Sequence, residues 1–279
     1  MIVWLASYPK SGNTWVRSFL ISILFNKKKD FNLKDLNLIN QYPSRRFFKN
    51  FINNPLDIHE VKKNWLITQD KINSDKKIKF FKTHNSLCNL DNYYFTNFKN
   101  SLGAIYIVRD PRNLISSISN HFSKTIEEAK NFILTPKIIA GRKKDGGMKK
   151  DDIKTLIGTW SEHYKFWKKN DNYLLIKYED LIKNPSKELD RIIFFLSNFI
   201  KINTNKIKNE NIINSTSFEK LKSLENEGKF KESAYDNSGK IKNFFHKGPE
   251  NKWQNQLDIN VKNEIEDKLY VEMKELGYL

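Results

Sequence analysis

Hydrophobic and polar positions along this chain follow two alternating periods. Short runs rich in β-branched and aromatic residues each give way to a loop, and then to apolar residues spaced three or four apart. The first run is Ile2-Val3-Trp4-Leu5-Ala6-Ser7, and the helix predicted after it carries Trp15, Phe19 and Ile23 at steps of four. A second run, Ala104 to Val108, precedes a helix with Leu114, Ile115, Ile118 and Phe122. A third, Tyr173 to Lys177, precedes a helix from about Ser186, just after Pro185. A further strand-like run, Ile78 to Lys82, ends at Thr83-His84. Strand, loop and helix in repeated succession predict parallel βα units. Between Ile153 and Lys169 the apolar residues Ile153, Leu156, Ile157, Trp160, Tyr164 and Trp167 predict one long amphipathic helix, its aromatic stripe packed in the core. Residues 140–152, rich in Gly and Lys, predict a mobile surface loop, either an acceptor gate or a plain linker, and 228–253 reads as irregular. No internal repeat or linker divides the chain. The expected architecture is one α/β domain over residues 1–279: a three-layer, P-loop-like fold whose central parallel β-sheet is flanked by helices.

Composition narrows this picture only in part. Apolar residues make up 39% of the 279 and aromatics 13%, enough to build a core, which sets global disorder aside. The net charge of +17 fits an anionic substrate or partner, and equally fits a chain whose whole surface favours Lys. Cys88 is the single cysteine, so a disulfide framework and a thiolate metal cage are both excluded. No signal peptide is expected before the first strand, and the apolar stretch Phe19 to Phe25 is too short to span a bilayer. A cytoplasmic protein with no membrane span is therefore expected. The five histidines, at 59, 84, 121, 163 and 246, have no metal-ligand spacing, and no metal is expected.

The chemistry is concentrated after the first strand, in Ser7-Tyr8-Pro9-Lys10-Ser11-Gly12-Asn13-Thr14-Trp15. A glycine-bearing turn lets successive backbone N–H groups face one anion, and the following helix adds its dipole and free N–H donors. Lys10 contributes a mobile charge, Ser11 and Thr14 hydroxyl donors. The motif G-x-x-x-x-G-K-[ST] of P-loop NTPases occurs nowhere in the chain. The loop suits a phosphate without the metal machinery of ATP chemistry.

Tyr8 to Trp15 resembles the 5′-phosphosulfate loop of cytosolic-type sulfotransferases that use 3′-phosphoadenosine 5′-phosphosulfate (PAPS). Ile107-Val108-Arg109-Asp110-Pro111-Arg112-Asn113, with Ser117 eight residues after Arg109, resembles that family's 3′-phosphate motif. Phe81-Lys82-Thr83-His84 is similar to its catalytic histidine segment, and Tyr178-Glu179-Asp180-Leu181 to its later strand end. Thr216-Ser217-Phe218 and Lys247-Gly248, then Trp253, resemble its adenine and C-terminal cofactor loops. The segments occur in the family's order from residue 7 to residue 253.

The resemblance implies PAPS as co-substrate, adenosine 3′,5′-bisphosphate (PAP) as product and no metal. It implies His84 as general base, with Lys10 and Lys82 as catalytic cations at the leaving oxygen. Cofactor contacts are implied for Lys10, Ser11, Gly12, Asn13, Thr14, Trp15, Arg109, Ser117, Tyr178, Thr216, Phe218, His246, Lys247 and Gly248. For the aromatic members core packing remains an open alternative, and for Arg109 an ion pair with Asp110 or Glu179. Two positions depart from the family pattern: Asn13 stands where threonine is frequent, and His246 where arginine is usual. The acceptor is expected to be a small molecule or a glycan, met by residues 25–78 and 140–152, and no nucleic acid is expected. Two other readings compete, a P-loop nucleotide kinase and a non-catalytic basic polyanion-binding protein. The missing Walker motif counts against the first, and the scatter of the lysines against the second.

Overall fold

Strands β1 (Ile2–Ser7), β2 (Asn40–Gln41), β3 (Lys79–Thr83), β4 (Ser101–Val108) and β5 (Tyr173–Lys177) form one sheet in the order β2-β3-β1-β4-β5. Every pairing in it is parallel. The computed structural model describes all of residues 1–279 except 26–30, 141–151, 204–207, 228–229, 231, 233 and 236–239.

All six residues of β1 are buried, as a central parallel strand covered on both faces requires. Its side chains alternate between two cores. Ile2, Trp4 and Ala6 enter one layer with Trp65, Phe95, Trp160 and Trp167, and Val3 and Leu5 enter the other with Phe19, Leu20, Leu189 and Ile192. These are the three layers expected: helix, sheet, helix.

The long helix expected over Ile153–Lys169 is not formed. Thr155–Gly158 is a strand paired antiparallel with Lys137–Ile139, and the helix occupies only Trp160–Lys168. Gly158 takes φ 64, a left-handed conformation that interrupts a right-handed helix. Thr159 then starts the helix with a capping box closed by Glu162. Upstream of the break Ile153, Thr155 and Ile157 are buried at a period of two, the period of a strand. Trp160, Tyr164 and Trp167 are buried in the core as expected. The loop expected at 140–152 lies outside the described residues save Ala140 and Asp152. The stretch 228–253, read as irregular, contains a short antiparallel pair, Ala234–Tyr235 with Ile241–Lys242.

Parallel strands place all their C-terminal ends on one edge of the sheet, where open α/β folds gather their ligands. Here that edge carries the loop after Ser7, His84 after β3, Arg109 after β4 and Tyr178 after β5.

Candidate active site

The turn after β1 is shaped by two left-handed residues, Lys10 (φ 68) and Gly12 (φ 101). Gly12 is required sterically as well, because a Cβ there would lie 2.5 Å from Cδ2 of Tyr178. The helix Asn13–Leu24 begins at Gly12 with no side-chain cap, so no side chain competes for its first N–H groups. Asn13 is turned the other way: its Nδ2 donates to the Leu5 carbonyl (3.1 Å) and to Ser7 Oγ (3.2 Å). The residue that departs from the family pattern thus fastens the loop to β1 and leaves its backbone to the loop.

A cavity of about 440 Å³ opens along this edge. Of the residues singled out from sequence, Lys10, Gly12, Asn13, Thr14, Trp15, Lys82, His84, Arg109, Ser117, Tyr178, Phe218, His246, Lys247 and Gly248 line it. Ser11 and Thr216 are fully buried and do not reach the wall, and the Thr216 hydroxyl donates to the Ile212 carbonyl.

Among the described residues, buried polar atoms at this edge without a hydrogen-bond partner include Lys10 Nζ, Ser11 Oγ, Asn13 Oδ1, Trp15 Nε1, Arg17 Nε and Arg109 Nε. Lys10 Nζ lies 3.3 Å from the centre of the Phe244 ring. Burial, reinforced by the neighbouring Arg109 charge, lowers the Lys10 pKa to about 7. Arg109 stacks over Tyr178 at 4.2 Å and donates to the Lys10 carbonyl at 3.3 Å, without the strand-end ion pair considered from sequence. That pairing belongs to Arg112, which binds Asp110 (2.6 Å) and Glu266 (2.5 Å) and lies 4.3 Å from the Trp253 ring. One arginine of the Arg-Asp-Pro-Arg segment is therefore structural, and the other faces the cavity with donor capacity to spare. Unpaired buried donors are costly, and an anion that accepts from them relieves that cost. The unpaired donors of Lys10 and Arg109 at the cavity suit an anion such as phosphate.

His84 stands across from this loop. Its Nδ1 is 2.8 Å from the Ser7 carbonyl, which can only accept, so Nδ1 carries the ring proton and Nε2 keeps its lone pair. Burial, together with the Lys82 charge, lowers the His84 pKa to about 3. Lys82 Nζ contacts Glu232 at 3.0 Å, and the same carboxylate meets Arg17 at 2.8 Å. Burial opposes ionisation of Glu232, but Arg17 and Lys82 prevail and hold its carboxyl far below the usual range. Sequence reading missed both partners. Arg17 left a trace, as the one charged residue in the apolar helix Asn13–Leu24; Glu232, in a lysine-rich stretch, left none.

At the far end of the cavity Ser116 Oγ donates to Asn251 (2.6 Å), whose amide donates to the Asn113 carbonyl (2.6 Å). Glu225 accepts from the backbone of Phe244 (2.7 Å) and Phe245 (2.9 Å), which fixes the segment leading to His246. His246 is exposed, and its pKa is lowered by partial burial and by Lys247 and Lys222. Gly248 takes φ 52, and a Cβ there would overlap the Phe218 ring at 2.4 Å. Among the described residues no cluster of three or more His, Cys, Asp or Glu could hold a metal, and no helix is long and apolar enough to cross a membrane.

A parallel sheet with a phosphate-type loop, buried cations and a tautomer-fixed histidine at one edge defines a nucleotide-dependent group transferase. The profile of the sulfotransferase domain matches residues 2–277. The chain belongs to the sulfotransferase family and is a PAPS-dependent sulfotransferase. Sulfotransferase 1B1 of Canis lupus familiaris is 24% identical over 95% of this chain and 81% of its own length. Flavonol 3-sulfotransferase of Flaveria bidentis is 26% identical over 96% and 80%. Among solved structures, mouse sulfotransferase SULT7A1 complexed with PAP superposes with TM-score 0.59 at 21% identity, covering 98% of this chain and 84% of that one. Retinol dehydratase in complex with androsterone and PAP gives TM-score 0.60 at 19% identity, covering 98% and 80%.

Proposed function

We propose that this sulfotransferase uses His84 as its general base and transfers a sulfuryl group from PAPS to a hydroxyl or amine of a small-molecule or glycan acceptor. The observation that carries this reading is the hydrogen bond from His84 Nδ1 to the Ser7 carbonyl, which leaves Nε2 of this cavity-lining residue as the proton acceptor. PAPS supplies the sulfuryl group and a phosphate leaving group. The new S–O or S–N bond forms on one side of sulfur as the bond to the 5′-phosphate oxygen breaks on the other. His84 Nε2 takes the acceptor proton, a role worth about 10²–10⁴-fold in rate. Lys10 and Lys82 offer positive charge where the leaving oxygen becomes an anion. Arg109, with its planar fork of donors, and Ser117 on the helix Pro111–Phe122 read the 3′-phosphate. Trp15, Tyr178 and Phe218 line the adenine side. A cytoplasmic location and a monodomain arrangement over residues 1–279 go with this reading.

The test is binding and turnover together. PAP is expected to bind at least 100-fold more tightly than ATP by calorimetry, and labelled PAPS is expected to pass its sulfur to a member of an acceptor panel without added Mg²⁺. Equal affinity for ATP, or an absolute Mg²⁺ requirement, would favour the kinase reading.

The pH dependence of PAP binding reports on His246. Its imidazolium is disfavoured in the free protein by burial and the neighbouring lysines, and a phosphate dianion beside it reverses that balance. Binding should therefore tighten as pH falls from 8 to 6.5. His246→Arg, charged throughout, should bind PAP more tightly at pH 8 and show a shallower slope. Identical slopes in the two proteins would mean that His246 does not meet the phosphate.

A further inference from the structure

The helix Trp160–Lys168 places His163 against β4, fully buried and away from the cavity wall. Its Nε2 lies 3.1 Å from the main-chain carbonyl of His84, and its Nδ1 lies 2.9 Å from the Tyr106 hydroxyl. A carbonyl cannot donate, so Nε2 of His163 carries the proton. A neutral imidazole has only one, so Nδ1 accepts from Tyr106. Burial keeps the ring neutral by lowering its pKa to about 3. The ring also meets Tyr8 edge-on at 5.6 Å, with an interplanar angle of 89°. Both ring nitrogens are committed, one to the turn that carries His84 and one to the sheet. His163, held from β4 by Tyr106, thus grips the main chain of His84 from the helical layer, while the Ser7 carbonyl grips its ring from β1.

We propose that His163, held by Tyr106, is a positioning residue for the base: by fixing the His84 carbonyl it keeps the imidazole at the distance from Ser7 that enforces the Nδ1–H tautomer. This rests on the reading of His84 as the base, but its test does not need the reaction. The two histidines have opposite tautomers, His84 protonated at Nδ1 and His163 at Nε2. Either mechanism of failure for the pair, a shifted turn or a rotated ring, weakens the bond to Ser7 and lets His84 adopt the other form.

Histidine-labelled protein with PAP bound can be followed by nitrogen NMR, with signals assigned by substituting each histidine in turn. The wild type should show His84 in the Nδ1–H form alone and His163 in the Nε2–H form alone. His163→Phe should move the His84 tautomer ratio about three- to tenfold towards Nε2–H, the scale of one lost hydrogen bond. His163→Gln, whose amide can still donate to the His84 carbonyl, should restore it. Should His163→Phe not fold, Tyr106→Phe removes a single hydroxyl and should give a shift in the same direction. A folded His163→Phe or Tyr106→Phe in which His84 keeps one tautomer, as in the wild type, overturns the proposal. Loss of His84 as the base would instead appear as normal turnover in His84→Ala, whatever the tautomers do.

Discussion

Replacing His84 by alanine should lower kcat by about 10²–10⁴-fold, the contribution of a positioned general base, while PAP affinity stays within about threefold. The separation follows from the geometry. The ring hydrogen-bonds to β1 through Ser7, and the donors that suit phosphate belong to other residues, Lys10, Arg109 and the helix start at Gly12. The pH profile adds a second expectation. With its pKa lowered to about 3, His84 is a free base throughout pH 5 to 8, so kcat/KM for PAPS should show no acid limb from this group above pH 5. An ordinary exposed histidine would give a limb near 6.5. Negative charge brought beside the ring favours the imidazolium, so the base gains proton affinity only as the donor arrives. Unchanged kcat in His84→Ala across pH 6–8 would place the base elsewhere.

What the sequence made legible follows from what controls each element. The strands β1 and β4 announce themselves because a strand buried on both faces must be a short apolar run, and β3 and β5, though less deeply buried, keep enough apolar residues to be recognised. The strand β2 does not: Asn40 and Gln41 are polar edge residues, and their pairing with Phe81 and Lys82 is decided by the neighbour. The segment 153–169 was misread because Ile153, Leu156, Ile157 and Trp160 satisfy a helical spacing, whereas φ 64 at Gly158 is set by the tertiary fold. At the site, the loop, His84 and Arg109 were recognisable as strand-end residues. The Glu232 carboxylate between Arg17 and Lys82 was not, since its partners are 215 and 150 residues away. Nor was the Tyr106–His163 contact, which joins residues 57 apart. Long-range polar pairings carry no periodicity.

Lys10 should bind a proton when PAP binds, and its removal should weaken both binding and rate. In the free protein its ammonium is buried over Phe244 near Arg109, and both burial and that charge favour the neutral amine. With a pKa of about 7, roughly nine-tenths of the molecules carry neutral Lys10 at pH 8. Phosphate beside Nζ shifts the balance the other way, since an opposite charge at contact distance favours the ammonium. Binding at pH 8 should therefore take up about 0.9 proton at this site, and binding at pH 6 almost none. The sign is fixed: a group whose pKa rises on binding tightens that binding as pH falls, until pH drops below the free-protein value. PAP affinity should accordingly weaken by up to about tenfold per pH unit between pH 7.5 and 9, with His246 adding to the slope from pH 8 downward. Calorimetry in two buffers of different ionisation enthalpy measures the proton count directly. Lys10→Met removes the titrating group and nearly preserves the stem's length, so uptake at pH 8 should fall by close to one proton. Its kcat should fall about 10²–10³-fold, the usual cost of losing one donor to a developing oxyanion. Equal proton uptake in wild type and Lys10→Met would mean that the ammonium is already charged in the free protein, and that Phe244, not the nucleotide, is its lasting partner.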